Sequence, residues 1–228
     1  MAFPFTHLSV GFELLKHLSF SENDSALFLL GTIAPDAVHY REDFVGSNMN
    51  KIGPAKKVTH LCPISGERWG AVTDNDGWAA RVFEFLYDSP QDPLSKGYAV
   101  HVLTDIQNNV TIWEKFRTGF PEEAAKGYGS DYYADLDKID MELYKSLPYT
   151  QKAMDLLSRA VSSGDLYWKN ELLVTLSELR AIQHNLVYEH FINAEISAAL
   201  AHIYKFITYR DKLEFIDRTV EAIWSQIK

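Results

Sequence analysis

The chain lacks most of what would mark a secreted scaffold, a nucleic-acid binder or a membrane protein. It has one cysteine, Cys62, so no disulfide can close within it, which fits a reducing compartment. His60 stands close by, but no CxxC or CxxH pattern accompanies it, and a small buried apolar thiol is the expected role for Cys62. Basic charge is scarce: 22 Lys and Arg face 31 Asp and Glu, a formal net charge of −9. Nucleic-acid polymers are bound through a basic face that releases counterions, so none is expected as a partner. The longest apolar run, Ala26 to Leu30, falls far short of the roughly 20 residues that span a bilayer, so no transmembrane segment is expected. The first residues, MAFPFTHLSVGFELLKHL, show no basic stretch ahead of an apolar one and no small-residue cleavage site. A cytoplasmic location follows as an expectation. HExxH, GxSxG, P-loop and GxGxxG patterns are missing, as are strand alternation and internal repeats. None of the 8 histidines is followed by aspartate, which removes the helical hydrolases built on a His-Asp dipeptide.

What is there is helical. At 228 residues, 46% hydrophobic and 23% charged, the chain suits one folded unit over 1–228. Leu8, Phe12, Leu15 and Leu18 form a first apolar stripe, and Ser21 with Asp24 marks a second helix start, ending at Gly31 before Pro35. Residues 40–72 carry Gly46, Gly53, Pro54, Pro63, Gly66 and Gly70 with little periodicity, and read as a long irregular segment, a kind often functional. Further helices are expected from Asp74, from Pro93 to Asn108, from Tyr132 to Leu147, from Thr150 to Ser162, from Leu166 to Thr208 with a break, and from Asp211 to Ile227. The broad apolar faces of the C-terminal helices suit a buried central helix or a homodimer contact.

Chemistry concentrates in the run Gly97 to Asp105. His101 and Asp105 are four residues apart, so a helix stacks them on one face, where they interrupt Val100, Val102 and Leu103. An imidazole and a carboxylate so placed can grip a cation, and zinc usually takes four such ligands. His7, Asp36 and His60 are the candidate partners, making His7, Asp36, His60, His101 and Asp105 the candidate metal set. For a single HxxxD, a buried His–carboxylate hydrogen bond is the commoner outcome.

Several segments together are more specific: Thr6-His7, Phe28-Leu29-Leu30-Gly31-Thr32-Ile33-Ala34-Pro35-Asp36, Thr59-His60, and Gly97-Tyr98-x-x-His101-x-x-Thr104-Asp105. In order and spacing they resemble the zinc-dependent phospholipase C family, whose wider superfamily includes the S1/P1-type nucleases. The likeness covers the first half of the chain; beyond about Tyr144 it is helical character alone. It implies an all-α, multi-helix bundle with metals between helices. Asp36, His60, His101 and Asp105 would surround one zinc, and His7 with a bridging Asp105 would contribute to a second. Asp36 and Asp105 would be the catalytic carboxylates of a phosphate-ester hydrolase, most simply a phosphodiesterase, acting through a metal-bound water. Manganese or another divalent ion could replace zinc, and a small soluble phosphate ester would be the substrate.

The chain also departs from that family. It has no mature N-terminal tryptophan, whose amine serves as a ligand in secreted members. No histidine follows Asp105 until His184, so a further metal site lacks its ligands. Asn109 is at best a weak oxygen ligand. Asp131, Asp135, Asp137 and Asp140 could substitute, but a solvated acidic face is the simpler expectation. His39 is equally open to the cluster or an ordinary surface role, and His17 should be exposed at its helix end. His184, His190 and His202 should lie on helix surface or core. Trp69, Trp78, Tyr98 and Trp113 suit core packing or a cleft wall. The alternative to an enzyme is a metal-binding helical module without catalysis.

Overall fold

The computed structural model describes residues 3–45, 53–62, 72–88, 91–146, 149–162, 168–190 and 199–228. Among these residues the chain is all-helical, with no strand. Helix α1 spans Pro4–Leu15, α2 Glu22–Gly31, α3 Pro54–Thr59, α4 Asn75–Tyr87 and α5 Pro93–Asn108. Short α6 (Glu114–Gly119) and α7 (Pro121–Ala125) lead to α8 (Asp131–Lys145), α9 (Tyr149–Ser162), α10 (Leu176–His184) and α11 (Tyr209–Ile227). A 3-10 turn covers Ala34–Tyr40, and π-helical turns follow α5 at Asn109–Trp113 and α10 at Asn185–Glu189.

Helix α5 is the axis. From Leu94 to Asn108 nearly every side chain is buried, so this helix is enclosed almost all round, and α1, α2, α4 and α11 pack against it. Its start is fixed by Asp92, whose carboxylate accepts from Ser95 N at 2.9 Å, with Pro93 in the first turn. The tightest contact is with α2. A Cβ on Gly97 would lie 2.0 Å from the Phe28 carbonyl oxygen, and one on Gly31 would lie 2.2 Å from that of Leu94. Only glycine permits so close an approach of the two backbones.

Two sequence expectations are corrected. The segment 40–72 is not irregular throughout, because α3 lies inside it, opened by Pro54 at the first helical position. Two of its six residues are lysines, which breaks the apolar period. The helix expected from Leu166 to Thr208 with a break does not begin at Leu166: α10 starts only at Leu176, capped by Thr175, and passes into a π-helical turn. Gly46, Pro63, Gly66, Trp69 and Gly70 lie outside the described residues, whereas Trp78, Tyr98 and Trp113 are buried in the core.

Candidate metal centre

The α2–α5 contact brings the end of α2 against His101. The Thr32 carbonyl oxygen lies 2.7 Å from His101 Nδ1. A carbonyl can only accept, so Nδ1 carries the proton and Nε2 presents its lone pair. His60 is set in the same way. Its Nδ1 lies 3.0 Å from the Lys56 carbonyl oxygen one turn earlier in α3, which leaves Nε2 as the acceptor. Helix α3 then closes with Cys62 N bonded to Lys57 O at 2.9 Å and Leu61 N to Val58 O at 3.1 Å. Leu61 takes the left-handed conformation this closure needs, at φ 52°, a strained choice for a branched side chain. The His60 carbonyl accepts from Trp78 Nε1 at 2.7 Å, and the Thr59 carbonyl from Tyr98 Oη, so both α4 and α5 hold the ligand loop in place.

The donor atoms converge. His60 Nε2 lies 3.4 Å from Asp36 Oδ1, 3.4 Å from His101 Nε2 and 3.8 Å from Asp105 Oδ2. His101 Nε2 lies 3.8 Å from Asp105 Oδ2 and 4.0 Å from Asp36 Oδ2. Ligands about 2.0–2.1 Å from a tetrahedral ion sit about 3.3 Å from one another, so Asp36, His60 and His101 stand near the spacing of a coordination shell, with Asp105 bordering both imidazoles. All four are buried. Asp36 enters from the 3-10 turn, which Pro35 opens directly after α2. His7 flanks this group from α1: its ring stacks on His101 at 3.7 Å, and its Nε2 lies 3.6 Å from Asp105 Oδ1. Neither His7 nitrogen has a hydrogen-bond partner, although the residue is 1% exposed. A buried polar group without a partner calls for an ion or a water.

Electrostatics favour the ligand forms. Burial pushes the His60 imidazole down to about 3, against an opposing pull from Asp36. Burial and the neighbouring His101 lower His7 well below its ordinary value. Burial alone would raise Asp36, but the Lys56 charge and the neighbouring histidines outweigh it and hold the carboxyl well below its usual range. His7 and His60 are thus neutral imidazoles beside an ionised Asp36, the protonation state that metal binding requires.

All five sequence candidates come together. Two overlapping groups could hold an ion, His7–His101–Asp105 and Asp36–His60–His101, and among the described residues no other group of three His, Cys, Asp or Glu is so placed. His39 joins the rim: its half-exposed ring puts Nε2 3.0 Å from Lys56 Nζ and 4.0 Å from Asp36 Oδ1. Sequence reading missed Lys56, whose ammonium is 1% exposed and 2.8 Å from Asp36 Oδ1. The signal was its place one turn before His60, hidden because paired lysines read as a solvated face.

The acidic stretch after Asp105 does not supply a further site. Asn109 is turned away, donating to Val72 O and Asn75 Oδ1 at 2.9 Å each. The solvated acidic face holds for exposed Asp137 but is wrong for Asp135 and Asp140, which are buried because they satisfy backbone donors. Asp135 accepts from the backbone N–H groups of Lys205, Phe206 and Ile207 and lies 2.7 Å from His202 Nε2. Asp140 accepts from Phe5 N at 2.9 Å, an anion at the start of α1, with His190 Nε2 3.7 Å away. His184 pairs with Glu189 at the surface, and His17 is exposed just beyond α1, as expected. Cys62 is buried and forms no disulfide.

Comparison with family models, curated proteins and solved structures finds no match to this chain.

Proposed function

We propose that this protein is a divalent-metal-dependent hydrolase of phosphate esters, with zinc as the first candidate ion. The observation that carries the reading is the convergence of Asp36, His60 and His101, with the Asp105 carboxylate 3.8 Å from both imidazole nitrogens. Nitrogen and oxygen donors in a tetrahedral arrangement suit zinc, though manganese or another dication can use them. When bound, such an ion supplies Lewis acidity and an acidified water, the two requirements of phosphate-ester hydrolysis. The chain's own residues do the rest. Thr32 and the Lys56 carbonyl fix the two imidazole tautomers, so that Nε2 atoms and not N–H groups face the centre. His7, with both nitrogens unbonded and Nε2 3.6 Å from Asp105 Oδ1, is placed to orient a water beside that carboxylate. The half-exposed His39 side lies nearest to solvent and would admit a small ester.

The order of the motif segments, resembling the zinc-dependent phospholipases C, supports the same reaction class. A second reading, a metal-binding module without catalysis, is favoured by one observation. Both candidate groups share His101, and its Nε2 has one lone pair, so the described ligands serve one ion where the resemblance implies more.

The test is turnover of bis(4-nitrophenyl) phosphate and 4-nitrophenyl phosphate by chelator-stripped protein, with and without added zinc or manganese. Metal-dependent hydrolysis of either ester, lost in His101→Ala and Asp36→Ala with the helical circular dichroism kept, is the expected result. Zinc binding with no hydrolysis of either would leave the module.

A further inference from the structure

Lys56 is the least expected residue of the centre. Its ammonium is buried, donating to Asp36 Oδ1 at 2.8 Å and lying 3.0 Å from His39 Nε2. An ammonium has only donors, so His39 Nε2 accepts from it and is turned away from any ion. Asp36 Oδ1 is likewise committed to the lysine, which leaves Oδ2, 4.0 Å from His101 Nε2, as the less encumbered oxygen toward that ligand.

We propose that Lys56 is the resident counter-cation of this centre: it takes the place of a second metal ion and limits the site to one. The inference rests on the metal-centre reading above. Its first support is charge. Asp36 and Asp105 carry two negative charges and Lys56 one positive, a sum of −1 with the imidazoles neutral; one dication makes +1, and two make +3. A buried cluster at +3 carries a larger desolvation penalty than one at +1. The second support is ligand number. His101 has one free lone pair, so an ion on Asp36, His60, His101 and Asp105 leaves a second with His7 and Asp105 Oδ1 among the described ligands. The third is the metal-free state, where two buried carboxylates would repel each other. Lys56 neutralises Asp36 there and keeps the helices around the site together.

The test compares wild type with Lys56→Met, which keeps length and burial and removes the charge. Zinc affinity and stoichiometry are read by competition with a chromophoric chelator, and thermal melts are taken with and without zinc. We expect wild type to bind one zinc per chain. Removing a like charge next to the ion should tighten zinc binding in Lys56→Met by about tenfold or more. Its metal-free form should melt lower than wild type, and zinc should raise its melting temperature by more. Should metal-free Lys56→Met fail to fold, Lys56→Arg and Lys56→Gln carry the test: the charged variant stays near wild-type affinity, and the neutral one binds tighter. Zinc binding by the neutral variants that is equal to or weaker than wild type overturns the inference, leaving Lys56 as a brace for Asp36. Two zinc ions per wild-type chain overturn it as well. A wild type that binds no zinc removes the metal-centre reading itself, a result distinct from these.

Discussion

His101 uses its two ring nitrogens for different ends, one fixed by the Thr32 carbonyl and one aimed at the centre. His60 repeats this with the Lys56 carbonyl. Such second contacts decide whether a histidine is a ligand or an ordinary core residue, and they have a pH consequence. The His60 imidazole is held near 3 in the folded chain against an ordinary 6.5, so below pH 6.5 the unfolded chain binds a proton that the folded chain refuses. Stability therefore rises with pH between about 3 and 6.5 and is fully present above that window, with a slope of about 1.4 kcal/mol per pH unit for one such group. The depressed Asp36 carboxyl has the same sign and is lost at lower pH, as the fold releases its bond to Lys56. Denaturant melts of the metal-free protein from pH 7.5 to 4 should show this fall, and His60→Gln should flatten it by about one proton; an unchanged slope would mean that His60 is not held neutral. Asp36→Asn should cost the metal-free fold about 3–5 kcal/mol, because it leaves the Lys56 ammonium buried without its counter-charge. The five ligand candidates were legible because each side chain carries its chemistry in its type. Lys56 was not, since nothing in one sequence shows that a lysine points inward.

At the scale of elements, the centre depends on how closely α2 and α5 approach. Gly31 was legible as the end of α2, but its second role, facing Gly97, depends on a partner helix that local sequence does not reveal. Gly97→Ala forces the helices apart against the Phe28 carbonyl, an overpacking worth about 1–3 kcal/mol. It should also weaken zinc binding, because Thr32 moves off His101. Equal zinc affinity in a destabilised Gly97→Ala would separate packing from ligand positioning and contradict this link. The helices themselves were largely readable from apolar period and caps: Ser21, Asp74 and Asp92 each cap a helix, and Pro93 opens α5. The misread elements have physical reasons. Helix α3 is six residues long with two lysines, too short for a period to show. The expected break after Leu166 was legible from length alone, but not that the helix starts only at Leu176 or that it passes into a π-helical turn at Asn185–Glu189.

At the scale of the molecule, the C-terminal half braces a site built in the N-terminal half. Arg41, the residue after the 3-10 turn that carries Asp36, bonds Glu178 of α10 at 2.6 Å and the Leu173 carbonyl at 2.8 Å. Asp140 of α8 holds the start of α1, and with it His7. Glu178→Ala should therefore loosen the turn and lower zinc affinity several-fold with every ligand still present, read by the same chelator competition; unchanged affinity would show that the turn holds Asp36 unaided. No described helix is long and apolar enough to cross a membrane, in keeping with the short apolar runs of the sequence. The central claim is that Asp36, His60, His101 and Asp105 form one metal centre, and zinc stoichiometry by equilibrium titration of the stripped protein tests it most directly. The account expects one zinc per wild-type chain and none in folded His101→Ala. A wild-type chain that binds no zinc, or a His101→Ala chain that still holds one, would contradict it.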